Sequence, residues 1–137
     1  MTASKQIKTA VITYLGECDL DDDIAIVDAD SRAEIALPTL AVAVSGMEAH
    51  SQALCMVHRA EVSITLRSHA GDESEDSIQT WADQIESALH DCSGIAAVFS
   101  NANLAVYEWT YAGAETEWDE STSEITFSAS VLVQRQG

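Results

Sequence analysis

The chain has 137 residues and 47% hydrophobic content in regular periodic patterns, enough for one domain with its own core and too apolar for a disordered segment. Its 23 acidic against 6 basic residues give a net charge of -17, which repels a nucleic-acid backbone over a Debye length of ~8 Å and argues against a protein that grips DNA or RNA. The same charge suits a soluble acidic domain, a cationic partner, or a surface past which DNA slides without sticking.

In SKQIKTAVITYLG, residues Ile7, Ala10, Val11, Tyr14 and Leu15 recur at helical spacing, with Thr2 or Ser4 placed to cap the start and Gly16 the end. Lys5 and Lys8 fall on the opposite, solvated side of that helix. The next stretch, ECDLDDDIAIVDADSRAE, reads as a self-repelling acidic loop. Asp19, Asp21, Asp23 and Asp30 have the 1, 3, 5, 12 spacing of a calcium loop, but Ile24 stands where the turn needs glycine and position 12 wants glutamate.

From about Thr39 to Ser45, TLAVAVS is a core strand that begins after Pro38, a residue unable to donate to a ladder. A polar connection, Gly46 to Gln52, leads into a long strand from about Ala53 to Ser68, most simply as an antiparallel hairpin. That strand alternates Leu54, Met56, His58, Ala60, Val62, Ile64 and Leu66 against Arg59, Glu61, Ser63, Thr65 and Arg67, one apolar face and one wet face. His58, on the apolar side, reads as a hydrogen-bonded core residue.

The clearest helix comes next, with Ile78, Trp81, Ala82, Ile85, Ala88 and Leu89 as its stripe, Asp72, Ser74 and Asp76 as competent caps and Gly94 as its stop. IAAVFSNA fits either a short strand or irregular packing. LAVYEWTYAG reads as a strand with Tyr107, Trp109 and Tyr111 on one face and Leu104 and Val106 on the other, and GAETEWDESTS as a polar connection. EITFSASVLVQRQ closes the chain as a half-buried strand with Ile125, Phe127, Ala129, Val131 and Val133 inward. The expected fold is α+β, a single domain in the order α-β-β-α-β-β, with a mainly antiparallel four- or five-stranded sheet and two helices packed on one face.

Chemistry-bearing patterns are sparse. Cys18, Cys55 and Cys92 are odd in number and form no CxxC pair, which favours a reducing cytoplasm over a disulfide framework. Cys55 and His58 point to opposite faces of a strand, so they do not share a metal, and there is no nucleophile elbow or phosphate-cradling glycine loop. No apolar run approaches a membrane span, and the N-terminus lacks the pattern of an export signal. The expectation is a protein without catalytic, cofactor or metal residues. On the wet face of the long strand, Arg59, Glu61 and Arg67 are suited either to carboxylates and cations of an adjacent subunit or to cross-strand partners within the chain. Trp118, amid acids, is either tucked against its own domain or an anchor for a partner.

The order of these elements, from the Pro-led LPTLAVAV through HRAEVSITLRSHAGDES and SIQTWADQIESAL to EITFSASVLV, resembles the tail terminator or tail completion (neck) proteins of long-tailed bacteriophages, over roughly Ile7 to Val133. The resemblance implies a non-enzymatic virion protein, made in the host cytoplasm, that forms a homo-oligomeric, six-fold ring at the head-proximal end of the tail tube. Its implied partners are the tail tube protein and neck or connector proteins, with DNA passing unbound and no membrane involved. The ring's lateral contacts would fall on the hairpin arm Ala53 to Arg59 and on the acidic connection Glu115 to Glu124, which holds Trp118, Asp119 and Glu120. The alternatives are another head-tail connector subunit, or a small acidic α+β enzyme or ligand-binding domain.

Overall fold

The computed structural model describes residues 3–18, 20, 24–29, 39–49, 57–69, 75–118 and 122–135. Its elements are α1 (Ala3–Glu17), β1 (Ala25–Asp28), β2 (Thr39–Ala49), β3 (Val57–His69), α2 (Glu75–Leu89), α3 (Cys92–Asn101), β4 (Leu104–Trp118) and β5 (Thr122–Arg135). The five strands form one sheet in the order β1-β2-β3-β5-β4, antiparallel throughout except for the short parallel pairing of β1 with β2. The α+β class and the mainly antiparallel sheet agree with the sequence, but there are three helices and the order is α-β-β-β-α-α-β-β.

One core joins the helices to one sheet face. Ile7, Ala10, Val11, Tyr14 and Leu15 of α1, Ile78, Trp81, Ile85 and Leu89 of α2, and Ile95, Val98 and Phe99 of α3 are buried with Leu40 and Val42 of β2, Ala60 to Leu66 at alternate positions of β3, and Ile125 to Val133 at alternate positions of β5. Two polar ends of aromatic rings are satisfied inside this packing, as a buried hydroxyl or indole N–H requires. Tyr14 donates to the carbonyl of Ala88 at 2.5 Å, and Trp109 Nε1 donates to the carbonyl of Leu89 at 2.8 Å, so both fasten the last turn of α2.

Four local expectations give way to tertiary context. IAAVFSNA is neither strand nor irregular: it lies in α3, whose start is capped by Asp91 accepting from the Gly94 amide at 3.1 Å. Gly94 therefore begins a helix rather than ending one, and a Cβ there would stand 2.5 Å from the capping carboxylate. Asn103, at φ 62, turns the chain from α3 into β4, a backbone region asparagine tolerates. Second, Lys8 is buried, not solvated, and its Nζ meets Asp28 Oδ1 at 3.1 Å, so a strand inside the acidic stretch supplies its counter-charge.

Third, the strict alternation expected in β4 fails at two β-bulges. Val106 pairs with Val133 while Glu108 pairs with Leu132, and Tyr111 pairs with Ala129 while Gly113 pairs with Ser128, so Tyr107 and Ala112 are extra residues. Each bulge flips the parity of the residues beyond it. Leu104 and Val106 thus share the core-side face with Trp109 and Tyr111, and Tyr107 is left 59% exposed. Fourth, most of the expected acidic connection after Gly113 is β-structure, since β4 runs to Trp118 and β5 starts at Thr122. The polar connection after Ser45 likewise begins as strand, with β2 continuing through a bulge to Ala49.

Candidate assembly surface

The sheet face opposite the helices has the geometry of a contact surface, built from the alternate residues that the core does not use. The register aligns them in rows across β2, β3, β5 and β4. Ala41, Thr65, Thr126 and Glu115 form one row, and Ala43, Ser63, Ser128 and Gly113 form the next. Apart from Glu115 on the outermost strand, these side chains are short, so the middle of the face is flat. Thr65 and Thr126 hydroxyls lie 3.3 Å apart, satisfying each other across the strands.

Charge gathers at the two ends of this face. At one end Arg67 lies opposite Glu124, and its Nε and Nη2 both reach Glu124 Oε1 at 2.7 Å. Of the two options open for that arginine, the intramolecular cross-strand pair is the one formed. At the other end Arg59 lies between Leu132 and the register position of Glu48, and Glu61 lies between Ser45 and Ser130. Neither Arg59 nor Glu61 makes an ion pair with a described residue. Among the described elements none packs over this face, because α1, α2 and α3 all bury their stripes on the other.

Trp118 ends β4 opposite Ser123, while Asp119 and Glu120 lie outside the described residues, as do the Ala53–Met56 part of the expected hairpin arm and most of the acidic stretch with calcium-like spacing. The three nearest members of the expected contact set, Arg59, Glu61 and Arg67, do share one face, although only two of them are unpaired within the described chain. What sequence periodicity missed is the contribution of β4. Its bulges place Glu108, Glu115 and Glu117 on this same face, and no simple two-residue repeat could have found them.

The helical side holds a cleft of about 540 Å³, lined by Tyr14, Cys18, Asp83, Gln84, Ser87 and Asp91 among others. Two of its carboxylates are engaged structurally, while Gln84 Oε1 is buried without a hydrogen-bond partner among the described residues. Asp83 accepts from Gln79 Nε2 at 3.1 Å, and Asp91 caps α3. Burial pushes the Cys18 thiol up, as it does the Tyr14 hydroxyl, which is the opposite of what an activated nucleophile needs. His58 is half-buried on the core side, but its Nε2 has no hydrogen-bond partner among the described residues, contrary to the satisfied core histidine expected there. Among the described residues no group of three or more His, Cys, Asp and Glu is arranged to hold a metal ion, and no helix is long and apolar enough to cross a membrane.

No protein-family model matches the chain, and no curated protein matches it. Among solved structures, it is similar to a chain of the "Virion of native gene transfer agent (GTA) particle", at 14% identity and a TM-score of 0.44, over 95% of this chain and 90% of that one. A likeness that remote carries no function across.

Proposed function

We propose that this protein is a non-enzymatic structural component of a phage-like virion, assembling through its bare sheet face into a ring of the tail-terminator kind at the junction of tail and neck. The observation that carries this reading is the outer face itself, flat and short-chained at its centre, with Arg59 and Glu61 lacking ion-pair partners among the described residues. In a chain of net charge -17 a half-buried arginine with no ion-pair partner among the described residues is a natural anchor for a neighbour's carboxylate, because its planar fork pairs with one bidentately. A closed ring needs two different patches that fit each other, and this face offers one of them. The acidic surface then leaves DNA a passage to which it does not adhere.

The test is particle assembly with Arg59→Glu. The variant is expected to fold, because the side chain is outside the core, and to leave tubes of uncontrolled length or tails unjoined to heads by electron microscopy, the same outcome expected when the protein is removed altogether. Normal joined tails in particles lacking the protein would overturn the virion reading. Normal tails with Arg59→Glu alone would instead overturn the role of this face.

A further inference from the structure

The sheet has two outer edges of unequal character. β1 closes one side with four residues, too short to template a partner strand. β4 closes the other with fifteen, and its outer side has no strand partner among the described residues. The bulges at Tyr107 and Ala112 break β4 into pieces, of which Gly113–Trp118 is free of bulges and pairs residue for residue with Ser123–Ser128. Six residues is the length of an ordinary strand pairing. Side chains from Ala114 to Glu117 are exposed on both faces, so neither helix nor loop among the described residues shields this segment.

Its charge selects what can pair there. β4 holds Glu108, Glu115 and Glu117 and no lysine or arginine. All three carboxylates lie on the outer face. A second copy pairing edge to edge, antiparallel about a two-fold axis at Thr116, would set Glu115 against the copy's Glu117 and Glu117 against the copy's Glu115, and like charges directly opposed destabilise a strand pair. An extended segment with cations at alternate positions would meet the same carboxylates with opposite charge while its backbone completed the ladder. We infer that the β4 edge at Gly113–Trp118 is a docking site for an extended, basic segment of another protein, added as a sixth strand, and that its glutamates bar the chain's own copies from the same edge. The inference does not depend on the virion reading.

The probe is a capped eight-residue peptide alternating lysine and threonine, compared with the same peptide N-methylated at alternate amides, which keeps the charge and removes the ladder donors. Amide exchange is expected to slow at residues 113–117 on adding the first peptide, with no binding of the second. Glu115→Gln with Glu117→Gln, both exposed positions, should weaken affinity roughly tenfold, the loss of two exposed ion pairs. Equal binding of the methylated peptide would reduce the effect to non-directional attraction by the net charge and overturn the proposal. So would protection appearing elsewhere than on β4, an unchanged affinity in the double variant, or dimerisation of the unmodified protein through this edge.

Discussion

The two faces of one sheet are made from the same strands, one residue out of phase, and they differ in what they contribute to the fold. On β5, Phe127 is 1% exposed beneath the helices while its neighbour Ser128 is exposed on the bare side. The buried face is held by area removed from water and by close packing. The bare face contributes cross-strand hydrogen bonds and a surface ion pair, whose net value is small. Such a division lets the outer face change composition with little loss of fold, since the energy that specifies the fold lies on the other side.

The largest effect should come from breaking the covered face. Phe127→Ala is expected to destabilise the protein by about 3–5 kcal/mol in urea denaturation, against within about 0.5 kcal/mol for Ser128→Ala one position along. Comparable losses for the two would erase the distinction between the faces. Next in size is the one buried cation of α1. Asp28→Asn removes the carboxylate that stands 3.1 Å from Lys8 Nζ and should cost about 1–3 kcal/mol, while Lys8→Met with Asp28→Asn together should recover part of that loss.

A pH dependence belongs to the covered side as well. Tyr111 is pushed from its usual 10.0 to about 12, first by burial and then by its hydrogen bond to Glu86 and that carboxylate's charge. The unfolded chain therefore gives up this proton before the folded one does. The stability it contributes is complete below pH 10.0 and is lost as the pH rises toward about 12. Tyr14, also pushed up chiefly by burial, acts in the same direction. Urea midpoints measured on either side of pH 10.0 should fall less steeply in Tyr111→Phe, and an unchanged slope would assign the alkaline loss elsewhere. The smallest effect is expected on the bare face, where Arg67→Ala removes an exposed pair with Glu124 worth roughly 0.2–1 kcal/mol and sensitive to added salt.

Much of this architecture was legible because two of the signals are periodic and long. The stripes Ile7 to Leu15 and Ile78 to Leu89 repeat over several turns, and Ala60 to Leu66 and Ile125 to Val133 alternate over whole strands, so burial followed the pattern. The α3 segment failed for the opposite reason. Ile95, Val98 and Phe99 span barely more than one turn, too short for a helical period to be told from a strand, and its cap Asp91 sat where a helix end was expected.

In the candidate surface, alternation alone placed Arg59, Glu61 and Arg67 on one wet face. It could not say which of them has a partner within the chain, because Glu124 lies 57 residues from Arg67 and meets it only once β3 and β5 are in register. Nor could it place Glu108, Glu115 and Glu117 on that face, since each bulge in β4 inserts a residue whose effect on parity exists only relative to β5. The sequence by itself determined the class of fold and which side of each regular strand would be dry, for these depend on side-chain polarity at a fixed local period. Tertiary structure alone decided the strand order, the burial of Lys8 beside Asp28, the bare edge along β4 and the unpaired state of Arg59 and Glu61 among the described residues, for each depends on what a distant segment brings within reach.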